Sequence, residues 1–110
     1  MIGQLRGQIL VKKPPYLLLD VNGVGYDIET SMTSLYQLPE CQHTVTLHTH
    51  LWVREDAMRL YGFTSCKERD LFQCLLKVNG IGCKVALAIL SNLNQQQLIS
   101  CVQNLSLIHI

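Results

Sequence analysis

Several patterns that mark whole classes of protein are missing from this sequence. It contains no window of about 18 unbroken apolar residues, which excludes a membrane-spanning helix. Residues 1–6 lack the basic stretch and apolar run of a secretory signal. The five cysteines form no Cys-x-x-Cys pair, so neither a zinc ribbon nor a redox site is indicated. We therefore expect a cytoplasmic protein with reduced thiols and with no metal ion or cofactor.

An excess of charge of either sign is also missing. Nine Lys and Arg residues stand against eight Asp and Glu residues, which gives a formal net charge of +1. Because no overall positive field attracts nucleic acid, any contact with DNA must depend on local geometry. The sequence has no Gly-x-x-x-x-Gly-Lys loop for ATP, and no acidic residue follows Asp70. These absences predict a protein without enzymatic activity and argue against a glycosylase or nuclease.

Residues 1–63 are rich in short β-type runs that are separated by turn signals. The predicted strands are residues 2–11, 16–21, 24–30, 44–53 and 57–63. Asn22-Gly23 is a two-residue hairpin signal between the second and third strands. Residues 31–38 have apolar side chains at helical spacing and are closed by Pro39. Three strands, a short helix and two strands is the order of a small OB-type barrel, which we predict for residues 1–63.

After residue 63 the apolar period changes from two to about 3.6, which predicts an α-helical domain over residues 64–104 and an α+β fold overall. Ser65 and Glu68 have the spacing of a capping box. The helix they begin has an apolar stripe formed by Leu71, Phe72, Leu75, Leu76 and Val78. A second helix is apolar on nearly every side and predicted to be buried, with Asn92 as a left-handed stop. A third is predicted from Asn94, and we expect the apolar stretch 105–110 to be a truncated or non-native end.

The segment Val78-Asn79-Gly80-Ile81-Gly82, called the glycine loop below, lies between the first two of these helices. Glycines allow positive φ and let the backbone approach a ligand closely, and both Gly80 and Gly82 are predicted to serve this purpose. The N-terminus of the next helix offers free N–H groups to a phosphate, and Lys84 adds a positive charge. Flanked by two helices, the loop matches the helix-hairpin-helix pattern of non-specific DNA binders. The alternative is a tight turn whose glycines serve packing only.

Distinctive segments occur in order along the chain up to about residue 104. They are Met1-Ile2-Gly3, Leu5-Arg6-Gly7, Pro14-Pro15, Asn22-Gly23-Val24-Gly25-Tyr26, Thr49-His50-Leu51, Val53-Arg54-Glu55-Asp56-Ala57, Leu60-Tyr61-Gly62-Phe63, Glu68-Arg69, Leu71-Phe72, the glycine loop followed by Lys84, and Ala86-Leu87-Ala88-Ile89-Leu90-Ser91. Together they closely resemble the RuvA family, whose members bind Holliday junctions. The resemblance implies an OB-type first domain through which the chains assemble into a homotetramer. An octamer is the alternative assembly.

The resemblance also implies a function and a set of site residues. It implies a bacterial, non-catalytic scaffold for four-way junction DNA in recombination and repair, which works with the RuvB motor ATPase and the RuvC resolvase. The DNA-binding residues would be Asn79, Gly80, Ile81, Gly82, Cys83 and Lys84. Glu55 and Asp56 would form the acidic pin of the family, which repels phosphates near the crossover. From the residues alone, an ordinary polar turn is the alternative for this pair.

Two departures from the family pattern stand out. The second hairpin of the family and its RuvB-binding domain have no counterpart in these 110 residues, so we expect RuvB contact to be lost. Cys83 occupies a position where proline is usual, which gives up a fixed φ but restores an N–H group.

Two other functions remain open from the residues. A stand-alone OB-fold single-strand binder would stack bases on exposed aromatic side chains, and the candidates are Tyr16, Tyr26, Trp52 and Tyr61. The histidines His43, His48 and His50 lie close together in sequence, but two strand histidines rarely complete a metal site. We expect them to be surface or interface residues.

Overall fold

The computed structural model describes residues 1–92 and residue 100. The elements are β1 (Gln4–Lys13), β2 (Tyr16–Val21), β3 (Val24–Thr30), α1 (Met32–Gln37), β4 (Thr44–Arg54), β5 (Ala57–Phe63), α2 (Cys66–Leu76) and α3 (Cys83–Ser91). The helix predicted from Asn94 and the stretch 105–110 lie outside the described residues. Within the described part, no helix has the length and apolar character needed to cross a membrane.

The strands close into a barrel in the order β1-β2-β3-β5-β4. Neighbouring strands are antiparallel except for β3 and β5, which are parallel. Because side chains alternate between the two faces of a strand, every second residue points into the barrel. These inward residues form one core, which includes Leu5, Ile9, Leu17, Leu19, Ile28, Leu47 and Leu60. The OB-like barrel with its short helix after β3 confirms the prediction from the sequence.

The strand bounds and turns also follow the sequence closely. β2, β3 and β5 have the predicted bounds, while β1 is shifted and runs from Gln4 to Lys13. Asn22 (φ 52°) and Gly23 (φ 90°) form the predicted hairpin, since a type I′ turn needs positive φ at both central residues. Glu55 and Asp56 form the tip of the β4–β5 hairpin, where Arg54 pairs with Ala57.

A second apolar cluster joins the barrel to α2 and α3. Phe72 of α2 is fully buried, and its ring centroid lies 5.1 Å from that of Tyr61 and 5.0 Å from that of Phe63. Leu60 points into the barrel, so Tyr61 and Phe63, one and three positions later on the same strand, lie on its other face and pack against the helices. The remaining buried members are Leu71, Cys83, Ala86, Leu87 and Leu90. Packing between β5 and the two helices therefore fixes the position of the glycine loop.

The helix α2 begins with only half of the predicted capping box. Ser65 accepts a hydrogen bond from the Glu68 N–H at 3.0 Å, as expected. The Glu68 carboxylate turns instead to the start of α1, where it accepts hydrogen bonds from Ser31 Oγ, at 2.6 Å, and from Ser34 Oγ. The Ser34 Oγ in turn accepts from the Thr64 N–H at 3.0 Å. A buried polar network thus connects α2 with the helix of the barrel.

Three helical predictions were wrong in detail. Val78 is half exposed and lies beyond the end of α2, so it does not belong to the buried stripe. The helix α3 is buried on one face only, because Lys84, Val85 and Ala88 are exposed. Asn92 has right-handed backbone angles (φ −98°, ψ 0°), and its side chain donates to the Ala88 carbonyl at 2.9 Å. The helix therefore ends without a left-handed residue.

Candidate nucleic-acid interface

The glycine loop connects α2 to α3 in a short, exposed turn. The Ile81 N–H donates to the Val78 carbonyl at 3.2 Å, and Gly80 has φ +85°, where an L side chain would be strained. Gly82 does not share this conformation, since its angles (φ −93°, ψ −179°) are those of extended backbone. The prediction that both glycines need positive φ was wrong for Gly82. A left-handed residue at Gly80 is sufficient to reverse the chain.

Gly82 is the N-cap of α3 and leaves the start of that helix open. It offers no side chain to cap the first N–H groups, which have no acceptor within the helix. No atom of the described chain lies within 4 Å of the position a Cβ would take at Gly80 or Gly82. The exposed backbone here, with Asn79 beside it and Lys84 on the first turn of α3, can be approached closely by an anion.

Cys83 points the other way, toward the barrel. Its side chain is buried in the same apolar cluster as Tyr61 of β5. Burial raises the pKa of the Tyr61 phenol to about 12, and the neighbouring Cys83 thiol acts in the same direction. Proline at this position would lack the thiol, so the departure from the family pattern adds a contact between loop and barrel. The Cys83 side chain thus anchors the start of α3 to the barrel.

A groove of about 620 Å³ runs between the β4–β5 hairpin and the glycine loop. One wall is formed by residues of β4 and β5, which are His50, Trp52, Arg54, Arg59 and Tyr61. The opposite wall is formed by α2, the loop and the start of α3, with Gln73, Leu76, Lys77, Ile81, Gly82, Cys83, Lys84 and Val85. The charged residues in both walls are lysines and arginines. We call this feature the basic groove.

Trp52 lies in the barrel wall of the basic groove together with two arginines. The guanidinium carbon of Arg54 is 5.1 Å from the centroid of the Trp52 ring, and that of Arg59 is 5.6 Å away. The neighbouring Tyr61 phenol raises the already high pKa of the Arg59 guanidinium. Both guanidinium groups therefore lie against the indole ring.

Glu55 and Asp56 are exposed and directly follow Arg54. These two residues do not line the basic groove, but their neighbour Arg54 does. The negative charge of the hairpin tip therefore lies next to the positive charge of the groove. Such an arrangement favours an anion in the groove and disfavours one at the tip. The chain thus has a basic channel with an acidic end.

The aromatic residues proposed for a single-strand binder do not form one surface. Tyr61 is buried, at 1% exposure, and Tyr26 packs partly against the barrel core. Tyr16 is half exposed but lies in other depressions of the surface. Trp52 and Tyr61 line the basic groove, and of these two only Trp52 is not buried.

The histidines are dispersed. His43 is exposed, whereas His50 is half-buried, with its ring centroid 5.7 Å from that of Phe72 and its Nδ1 3.2 Å from the Gln73 amide. Burial, and to a lesser degree the charge of Arg69, lowers the pKa of His50. In the part of the chain that the structure describes, no three His, Cys, Asp or Glu side chains are grouped so as to hold a metal ion.

Known proteins are similar to this chain in sequence. The family model described as RuvA N terminal domain matches residues 1–62, more than half of the chain. The chain belongs to the RuvA family. Similar RuvA proteins, each named Holliday junction branch migration complex subunit RuvA, come from Pseudomonas syringae pv. syringae (58% identical over 103 residues) and Pseudomonas fluorescens (56% over 103 residues). Each alignment covers 94% of this chain and 51% of the relative, so the chain spans about half the length of these RuvA proteins.

Two features of this RuvA chain were missed by sequence reasoning. The basic groove depends on contacts between β4, β5 and α3 that no local pattern predicts. The pairing of Trp52 with Arg59 could have been predicted from the sequence. The two-residue turn at Glu55-Asp56 places Trp52 and Arg59 opposite each other on adjacent strands. The signal for this pairing is the hairpin register.

Proposed function

We propose that this chain binds four-way DNA junctions by their structure and not by their sequence, as part of a non-catalytic RuvA scaffold. The observation that carries the proposal is the basic groove, which connects the glycine loop with the acidic hairpin tip. Residues 64–104 would act as a helix-hairpin-helix region, in which the backbone of Asn79, Gly80, Ile81, Gly82 and Cys83, together with the Lys84 side chain, contacts phosphates. Because these groups read the backbone only, binding would be independent of base sequence.

Glu55 and Asp56 would act by repulsion at the point where strands cross. Carboxylates at short range disfavour the approach of phosphates, so the exposed tip would hold strands apart while the basic groove attracts them. This division of charge agrees with a net charge of only +1, since attraction is confined to one channel.

Assembly would supply the affinity that one chain lacks. Each chain neutralises only about one or two phosphates in this proposal, which gives weak binding on its own. A homotetramer, or an octamer, would bring several such contacts to one junction and bind far more tightly. Residues 1–63 would form the assembly domain. Cooperation with RuvB and RuvC in the bacterial cytoplasm is proposed for the full-length protein.

A pair of lysine variants tests the proposed phosphate contact. Lys84→Gln should weaken binding to a four-way junction and reduce the slope of log affinity against log salt by about one per chain. Lys13→Gln is the matched control, because Lys13 is an exposed lysine outside the basic groove. A filter-binding titration at several salt concentrations measures both quantities. Equal losses in the two variants would show that only net charge matters and would contradict the proposed loop contact.

A further inference from the structure

The Trp52 side chain in the basic groove has no role in the phosphate contacts proposed above. Its indole packs partly against the second apolar cluster and partly lines the groove. The apolar cluster holds the ring, while the groove leaves part of it accessible. A large aromatic side chain in this position serves neither the barrel core nor the glycine loop.

The two arginines beside Trp52 both lie near its ring, and neither forms an ion pair with a carboxylate in residues 1–92. Arg59 is the cross-strand partner of Trp52, and Arg54 follows on the same strand face. The one ion pair among residues 1–92 joins Arg69 to Asp70, so neither of these arginines is in a salt bridge there. The negative face of the indole attracts both guanidinium groups and keeps the two like charges close to each other. This positive charge is available to a ligand.

An aromatic face between two cations suits a nucleotide whose base is not paired. Both guanidinium groups lie over the ring, so a base would stack on the indole as a guanidinium group moves from the ring to a neighbouring phosphate. Bases inside a duplex cannot reach such a surface without leaving the stack. The groove volume of about 620 Å³ also lies within the range of about 300–1,000 Å³ that is usual for small-ligand pockets.

We propose that Trp52, with Arg54 and Arg59, receives one unpaired base of a DNA strand next to the Glu55-Asp56 hairpin tip. The inference rests on the proposed function, because strand exchange at a junction is the source of such a base. It adds a site for the base itself to a surface that otherwise contacts only backbone. Repulsion at the acidic tip would keep the strands apart, and the adjoining indole would hold a base that has lost its partner.

Trp52 is the only tryptophan in the chain, so its fluorescence reports on this site directly. The probes are two four-way junctions with one extra unpaired nucleotide at the crossover, which differ only in that the second lacks the base of that nucleotide. We expect the intact base to quench Trp52 fluorescence and to bind about tenfold more tightly, as one stacked base would give. Equal quenching and equal affinity for the two junctions would overturn the inference, because both junctions contain the same phosphates.

Substitution separates stacking from charge. Trp52→Leu, which keeps an apolar side chain against the second cluster, should remove the preference for the intact base, and Trp52→Phe should restore part of it. Tyr16→Leu is the control, because Tyr16 is an exposed strand aromatic outside the basic groove. An unchanged preference in Trp52→Leu would overturn the inference. Failure of the proposed function itself would look different, since the wild-type chain would then bind a fully paired junction no better than duplex DNA.

Discussion

Glu68 provides a quantitative test of how the helices are fixed to the barrel. Its side chain is 1% exposed and accepts hydrogen bonds from Ser31 and Ser34. We predict that Glu68→Ala lowers the free energy of unfolding by about 3 kcal/mol, from two bonds to a charged group at about 1.5 kcal/mol each. The lower end of the range applies to each bond because the substitution also removes the penalty for burying a carboxylate.

Urea unfolding followed by Trp52 fluorescence measures this loss. Asp70→Ala is the matched control, because Asp70 is an acidic residue on the same helix whose side chain is 54% exposed. A surface change of this kind alters stability by less than about 0.5 kcal/mol. If both variants unfolded at the same urea concentration, the buried network would contribute nothing, and the reasoning from hydrogen-bond geometry would be refuted.

The pH dependence of stability tests the same residue independently. Burial raises the pKa of Glu68 above its ordinary value of 4.5, although the two serine hydrogen bonds oppose the shift. Because the pKa is higher in the folded state, the stabilising contribution is complete below the unfolded pKa and is lost as the pH rises through the folded pKa. Glu68→Gln imitates the protonated form and does not titrate. The stability of the wild type relative to Glu68→Gln should therefore decrease as the pH rises from 4.5, and a constant difference would contradict the prediction.

Three further substitutions test the packing, the loop and the hairpin tip. Phe72→Ala should lower the free energy of unfolding by about 3–5 kcal/mol in urea unfolding, because it empties the centre of the second cluster. Gly82→Val should lower the free energy of unfolding by no more than about 1 kcal/mol, since Gly82 has extended angles and open space but valine is a poorer N-cap than glycine. The same variant should weaken junction binding at least about tenfold in a gel-shift titration. Unchanged binding would remove Gly82 from the mechanism. Glu55→Gln combined with Asp56→Asn should strengthen binding in the same titration because repulsion is removed, and weaker binding would contradict the role given to these residues.

Local sequence patterns predicted the barrel because its determinants are local. The Asn22-Gly23 pair demands positive φ at both positions, and the alternation of apolar residues around it determines which face of each strand is buried. The same holds for Ser65, which caps α2 by accepting a hydrogen bond from the N–H group three residues further along the chain. In each case the interacting groups lie within a few positions of one another.

The errors concern residues whose partners lie far away in sequence. Glu68 fits a capping box locally, but serines more than 30 positions earlier offer its carboxylate a buried site. The two loop glycines look equivalent in sequence, yet only Gly80 has positive φ. The burial of Cys83 depends on Tyr61 of the barrel. Tertiary contacts decided the positions of the Glu68 and Cys83 side chains, and no window of the sequence contains those contacts.

The central claim is that this chain recognises the structure of a DNA junction. The most direct measurement is a gel-shift titration of the wild-type chain with a four-way junction, with duplex arms of the same sequence, and with the corresponding single strands at fixed salt. The account predicts binding to the junction about a hundredfold tighter than to the duplex, because several chains act on one junction at once. Equal affinity for junction and duplex, or a preference for single strands, would contradict it.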